Sequence, residues 1–530
     1  MADDKTFQLT KYLEELKRRK VFRVGIGYLI GAWILVQIAD ATFEPLNLPE
    51  WSTTLVLWLL VLGFPVALFL AWALEVTPEG IRRTTKKRKT VAASKKSTGT
   101  KPEPSIAVLP FADMSPEKDQ DHFCEGMAEE IINSLARIGG VHVASRTASF
   151  QFKGQTTNVD VIGERLNVDT ILEGSVRKAG GQLRVTAQLI NVEDGYHLWS
   201  EGFDRELKDV FGIQKEIAES VARAFRVTLT PSEEQAIEKK PTENIEAYEF
   251  YLRGRRYFYQ LNRQGWEQSR EAFSRAIELD PDYALAYAGL ADCFSFLYMY
   301  AESSATNRLQ AETNSRLALQ LAPDVAQVHA SRGLALSHSK HHAQAEAAFK
   351  RAIELDPRQF DAYYFYGRDC FTQGKLEQAA DLFEKAAQTR PDDYQALALL
   401  AQVYRALGLE KERADARQRT LEAIEKRLQT TPNDSRALCF GSLNLLEAGQ
   451  TEKGLQWLKR AEESDPDDAL NLYNVACVYS NMGEVEKGID CLEQSVRKGM
   501  AQMDWITHDT DLDNLREHPR FKALLPVDAN

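Results

Sequence analysis

Side chains able to do covalent or metal chemistry are few and scattered along the 530-residue chain. One histidine cluster occurs, His338, His341 and His342. Offsets of three and four would bring His338 near both others on a helix, as in a two-histidine metal site. The surrounding SKHHAQAE, however, sits where two helical stretches turn, and solvated histidines are the simpler reading. A second group, Asp113, Asp119, Asp121, His122 and Cys124, follows a short apolar strand. Carboxylates beside His and Cys could do acid–base or nucleophilic work, but a polar loop capping a helix explains them as well. Neither GxxxxGK[ST] nor GxGxxG occurs, so no glycine-rich phosphate cradle is expected. The six cysteines, Cys124, Cys293, Cys370, Cys439, Cys477 and Cys491, never form CxxC and are too sparse for a disulfide scaffold. They read as buried apolar side chains in a reducing compartment. The expectation is a chain without catalytic residues, cofactor or metal.

Composition narrows the class. The chain is 44% hydrophobic and 27% charged, which excludes a polytopic transporter and a wholly disordered chain. Net charge is −12, which argues against a general nucleic-acid binder. The charge is uneven: residues 1–104 carry 16 Lys/Arg and 10 Asp/Glu, and the remainder 49 and 67. A basic front on an acidic body implies two surroundings.

Two uncharged runs lie near the start, Val24–Ala39 and Trp51–Leu74. The second is long enough to span a bilayer, and the first becomes so if Arg23 snorkels. Lys/Arg flank both runs on their outer sides, whereas Asp40–Glu50 between them has none. The positive-inside rule then predicts a two-pass inner-membrane hairpin over 24–75 with a basic helix, 1–23, before it. The N-terminus and everything beyond Glu75 would be cytoplasmic, and the lipid bilayer would be one partner. Residues 76–104, rich in Lys, Ser and Thr, read as a flexible basic linker.

From Ser105 the texture is β-α-β-α-β-β-β-α. IAVLPF and VHVAS are strand-like, His122–Ile138 has helical spacing, and Val159–Leu166 is a short helix. Two alternating strands meet at Ala179-Gly180-Gly181, a hairpin signature, and Asp209–Leu229 is amphipathic. The stretches IAVLPFADMSP, FCEGMAEEIINSLARI and GERLNVDTILEGSVRKAGGQLRVTAQLINVEDGYHLWSEGFDRE resemble the TolB-like N-terminal domain, and 105–230 is assigned to it. The resemblance implies a non-catalytic interaction or sensing domain. In bacteria such a domain often stands between a signalling or membrane segment and a repeat array, sometimes behind an adenylate cyclase or a winged-helix domain.

The second half repeats. Pro281, Pro323, Pro357, Pro391, Pro432 and Pro466 are spaced by 42, 34, 34, 41 and 34 residues. Gly333, Ala345, Phe349 and Ala352 before Pro357, and Tyr363, Gly367, Ala379, Phe383 and Ala386 before Pro391, fall on corresponding positions. This resembles the tetratricopeptide repeat, about seven units over 245–499, with 500–530 as a C-terminal cap. The resemblance implies stacked helix pairs forming a superhelix whose first helices line a concave groove. Counting within units places Tyr251, Arg255, Phe258, Tyr364, Arg368, Phe371, Gln402 and Arg405 in that groove. Tyr and Arg suit a protein or peptide partner. The carboxylate clamp of chaperone-tail binders is not expected, because Tyr251, Tyr364 and Ala398 stand where it needs Lys.

The expected protein is therefore multidomain: a two-helix membrane hairpin, an α/β module and an all-α superhelix. Its expected role is a membrane-anchored scaffold or adaptor binding protein partners on the cytoplasmic side. One alternative is a signalling regulator whose α/β module senses a ligand and whose repeats relay it to a cyclic-nucleotide or transcriptional output. Another is an envelope-assembly factor of reverse topology. Partner identity and oligomeric state stay open.

Overall fold

The computed structural model describes residues 103–155, 157–238, 240–391, 393–500 and 502–525, and before them 32–33, 35–37, 54–55, 57–58, 60, 62–64, 74–77 and 80–83. The chain divides into two compact units, Met1–Lys101 and Pro102–Asn530.

In the first unit, β1 (Leu74–Thr77) pairs antiparallel with β2 (Gly80–Arg83), Leu74 opposite Arg83 and Thr77 opposite Gly80. This corrects the expected membrane hairpin. Leu74 and Glu75, assigned to the end of the second span, lie in a strand, and its partner strand is drawn from the expected linker. Among the described residues no helix is long and apolar enough to cross a membrane. The expectation rested on uncharged length and on the flanking Lys/Arg. Neither registers the β-branched Val76, Thr77 and Ile81 that favour pairing. The two-pass inner-membrane location, with both flanks cytoplasmic, was drawn from that hairpin and is corrected with it. The described residues of the two runs before Leu74, 32–33, 35–37, 54–55, 57–58, 60 and 62–64, are helical. The other residues of the runs, the basic helix and most of the linker lie outside the described residues.

The second unit opens with a mixed sheet. Its strands are β3 (Ser105–Val108), β4 (Ala112–Asp113), β5 (His142–Val143), β6 (Thr170–Ala179), β7 (Gln182–Asn191) and β8 (His197–Glu206). The order is β5-β3-β6-β7-β8, with β4 also paired to β6. Pairing is parallel at β3·β5, β3·β6 and β4·β6, and antiparallel through β6-β7-β8. Gly180, with φ +58°, supplies the left-handed turn that joins β6 to β7. Alternation divides the core. Ile106, Val108, Leu172 and Val185 pack with α1 (Asp121–Ala136) and α4 (Val210–Ala224). Ala107 and Ile171 pack on the other face with Phe152 and Ile162, the latter from α3 (Val159–Leu166). Between these lies the short α2 (Arg146–Phe150). Helix α4 stops earlier than its apolar pattern suggests, as Arg226 takes φ +58°.

After α5 (Pro231–Glu238), fourteen helices run from Ile245 to Arg497 and pair into seven hairpins. They are α6 (Ile245–Phe258), α7 (Arg263–Leu279), α8 (Ala284–Tyr300), α9 (Ala305–Leu321), α10 (Ala326–His338), α11 (His342–Leu355) and α12 (Phe360–Thr372). There follow α13 (Leu376–Thr389), α14 (Tyr394–Ala406), α15 (Glu410–Thr430), α16 (Ser435–Glu447), α17 (Thr451–Ser464), α18 (Ala469–Asn481) and α19 (Val485–Arg497). The longer proline intervals are absorbed by the 17-residue α8 and α9 and the 21-residue α15. Small residues set the helix spacing. A Cβ on Gly254 would fall 2.7 Å from the Phe273 ring, and one on Gly289, in the next hairpin, 2.6 Å from the same ring. Phe273 thus fits only between two glycines, locking one repeat to the next. The chain ends its described course with α20 (Met503–His508), a 3-10 turn (Thr510–Leu515) and α21 (Pro519–Leu524). Leu512, Leu515 and Phe521 are buried there, sealing the last hairpin.

Candidate functional site

Helices α6, α12 and α14 carry the side chains expected in the groove, and most have partners within the chain. On α6, whose first turn is capped by Asn244, Tyr251 is buried with its ring 5.6 Å from Phe273 and 5.1 Å from Tyr283. One turn on, the Arg255 guanidinium donates to Glu129 of α1 and to the Tyr259 hydroxyl. Arg146 of α2 reaches the other oxygen of Glu129 at 3.0 Å and lies 4.0 Å from the centre of the Tyr259 ring. Burial pushes the Glu129 carboxyl up, but the Arg255 and Arg146 charges outweigh it and hold the group below its usual range. Phe258 is half-buried, edge-on to Phe296 at 4.8 Å.

Helix α6 therefore belongs to the α/β module as much as to the repeats. Tyr248, Tyr251 and Leu252 join the core that contains Phe123 and Met127 of α1. Gly126 of α1 allows this approach, since a Cβ there would fall 2.5 Å from the Leu252 side chain. Further along, Arg358 donates to the carbonyl of Val141 at 3.1 Å, a second tie between module and array.

On α12 and α14 the partner is the C-terminal segment. Tyr364 is buried and stacks on Phe360 at 5.5 Å. Arg368 lies 4.4 Å from the centre of the Trp505 ring, and Phe371 4.8 Å from it. Gln402 donates to Asp509 and, at 3.3 Å, to Asp511. Arg405 reaches Asp511 at 3.1 Å and Asn481 at 2.7 Å. The same segment crosses to the second and third hairpins: Gln502 donates to the carbonyl of Met299 at 2.5 Å, and Lys340 pairs with Asp504 at 2.8 Å. Gly499 makes the crossing possible. Its φ is +115°, and a Cβ would fall 2.1 Å from the carbonyl oxygen of Ala301. The partners of the expected groove residues, Glu129, Trp505, Asp509 and Asp511, were not singled out by sequence reasoning. The tail was read as a cap, and nothing in the 34-residue period signals where it folds.

Among the described residues, two clefts lie within the repeat array. One is lined by Phe258, Phe296, Phe365, Asp292 and Asp361. Burial pushes the Asp292 carboxyl up to about 7. The other, larger cleft lies under the C-terminal segment, among Tyr300, Arg368, Arg436, Tyr473, Asn474 and Trp505.

The reactive side chains singled out from sequence are dispersed. His342 Nδ1 lies 2.8 Å from buried Asp369, His341 is exposed, and burial lowers His338 to about 3. Among the described residues no three metal-ligating side chains stand close enough to hold an ion. Asp113 accepts from the backbone of Ser115 and Gln120, and Lys153 bridges Asp121 and Glu125. Buried His122 is held neutral, lowered to about 4 by burial and by the Arg253 charge, and burial pushes the Cys124 thiol up to about 12. The cysteines are all unpaired, and five of the six are buried.

Part of the array matches models of the tetratricopeptide repeat: residues 331–394 and 367–417, and again 469–497. Residues 102–220 match the model for the second domain of HilA/YgeH-like transcriptional regulators. Among curated proteins, "Putative adenylate cyclase 3" of Rhizobium meliloti (strain 1021) is 36% identical over 247 residues, 46% of this chain and 42% of that protein. Transcriptional regulator HilA of Salmonella typhimurium is 22% identical over 292 residues, 54% of this chain and 51% of that one. The chain thus spans about half or less of the length of these relatives. Among solved structures, MamA is 20% identical, with TM-score 0.26, over 33% of this chain and 96% of that one. YrrB, described as a TPR protein with an unusual peptide-binding site, is 21% identical, with TM-score 0.25, over 36% and 96%.

Proposed function

We propose that this chain is a non-catalytic regulatory scaffold that binds a protein partner on the repeat array. The observation that carries the reading is the cleft of Phe258, Phe296 and Phe365 with Asp292 and Asp361 at its wall. Aromatic side chains next to carboxylates on the inner face of a repeat array suit a basic side chain from an extended peptide. The test is site-specific photo-crosslinking of the full chain in cells. A crosslinker at Asp361 captures a discrete partner, and one at Arg351, exposed on α11, does not. Equal capture at both positions, or none at Asp361, removes the reading.

A second reading, that the α/β module senses a ligand and the array relays it, is favoured by the shared core of α1 and α6. A change in the module's packing would be felt at the first repeat without a flexible joint between them. The TolB-like resemblance of 105–230 and the printed names of the relatives, an adenylate cyclase and a transcriptional regulator, support a signalling output. Amide hydrogen exchange on the full chain tests it: Lys153→Ala in the module alters protection in α6 and α7 if the two are coupled, and leaves it unchanged if they are not.

A further inference from the structure

The larger cleft has an unusual charge arrangement. It measures about 540 Å³, its open mouth included. Arg368 and Arg436 both face it, with guanidinium carbons 5.7 and 5.5 Å from the centre of the Tyr300 ring. Among the described residues neither is within ion-pair distance of a carboxylate. Arg368 is 8% exposed, and its one hydrogen bond is a long contact of 3.5 Å to the Tyr364 hydroxyl. Arg436 has its Nε buried without an acceptor. Asn474, also 8% exposed, has its amide nitrogen buried there without an acceptor.

The carboxylates at the far wall do not supply the missing charge. Asp509 accepts from Tyr473, from Gln402 and from the Asp511 backbone at 2.8 Å, and Asp511 is held by Arg405 and Asn481. Burial raises both carboxyl groups, whereas guanidinium cannot shed its proton. Tyr300 reports the field: the Arg368 and Arg436 charges pull its hydroxyl below the usual value despite burial. A buried charge without a counter-ion costs several kcal/mol. Two of them facing one cleft, beside donors that lack acceptors, define what is missing.

We propose that this cleft binds a small oxyanion, a carboxylate or phosphate group, held between Arg368 and Arg436 with Asn474 as a further donor. Guanidinium groups bind such oxygens through short, charge-assisted hydrogen bonds, and Tyr300 and Trp505 fix the two forks from behind. The site is separate from the Asp292–Asp361 cleft and stands or falls independently of the partner proposed there.

The test is thermal unfolding of the full chain in sodium phosphate or sodium acetate, against sodium chloride of equal ionic strength. A saturable rise in Tm of a few degrees with either anion supports the site, and the effective anion identifies the source chemistry. Arg436→Gln abolishes the rise. In case that variant folds poorly, Asn474→Asp places a carboxylate beside the guanidiniums. It raises Tm in chloride and removes the response to the added anion. No rise beyond chloride with either salt overturns the proposal, as does an undiminished response in both variants.

Discussion

Glu129 of the α/β module and Arg255 of the first repeat form an ion pair that joins positions 126 residues apart. It lies at the edge of the shared core, with 6% and 17% of the two side chains exposed. The carboxylate serves two guanidiniums, because Arg146 takes its other oxygen.

That sharing makes the pair asymmetric. Arg255→Met leaves Glu129 neutralised by Arg146 and costs about 1.5–3 kcal/mol, with the hydrogen bonds to Glu129 and Tyr259 both lost. Glu129→Gln strands Arg255, leaves Arg146 only its 3.5 Å pair with Glu125, and costs about 3–5 kcal/mol. Urea unfolding of both variants checks the order, and a larger loss for Arg255→Met would contradict the geometry.

Trp505 covers Arg368 and Phe371 at once. Trp505→Ala removes a ring that is 6% exposed and costs about 3–5 kcal/mol. It also uncovers α12, so hydrogen exchange there speeds up while protection in the distant sheet is retained. Unchanged exchange in α12 would mean that the tail does not hold the array.

Stability depends on pH through Glu130. Burial and the neighbouring Glu129 push its carboxyl from 4.5 up to about 7. The folded chain then holds a proton that the unfolded chain releases at lower pH. The contribution is full below about 4.5 and is lost as pH rises through about 7. Between pH 5 and 8 the urea midpoint of the wild type therefore falls relative to that of Glu130→Gln, and parallel pH profiles would count against the assignment.

Gly333 tests the repeat packing. A Cβ there would fall 2.6 Å from the fully buried Phe349 ring. Gly333→Ala costs about 1–3 kcal/mol by overpacking, although alanine has the higher helix propensity. A stabilised variant in thermal unfolding would show that the helices can separate freely.

The helix pairs were legible because proline and glycine recur at fixed distances and each has a local cause. Pro357 and Pro391 follow the ends of α11 and α13, and Gly333 and Gly367 admit Phe349 and Phe383. The strands were legible from alternation and from the Gly180 turn. The first unit was misjudged at Leu74–Arg83, since counting uncharged residues cannot register that Val76 opposes Ile81 across a strand pair. At the inner face, the period placed Arg255, Arg368, Gln402 and Arg405 on the right helices. It carried no information on what meets them. Glu129 precedes Arg255 by 126 residues and Asp511 follows Arg405 by 106, and pairings of that range leave no local trace in one sequence.

The crossing at Gly499 changes how the array should fail. In an open stack each hairpin touches only its neighbours, so the ends can fray one at a time. Here Gln502 grips Met299 across 203 residues, and the segment that holds the fourth, fifth and seventh hairpins is clasped to the second. Such a loop closes late, because distant contacts must wait for the chain between them to be ordered. Once closed, it ties the melting of the last repeats to that of the early ones, so that a solenoid behaves as a single cooperative ring.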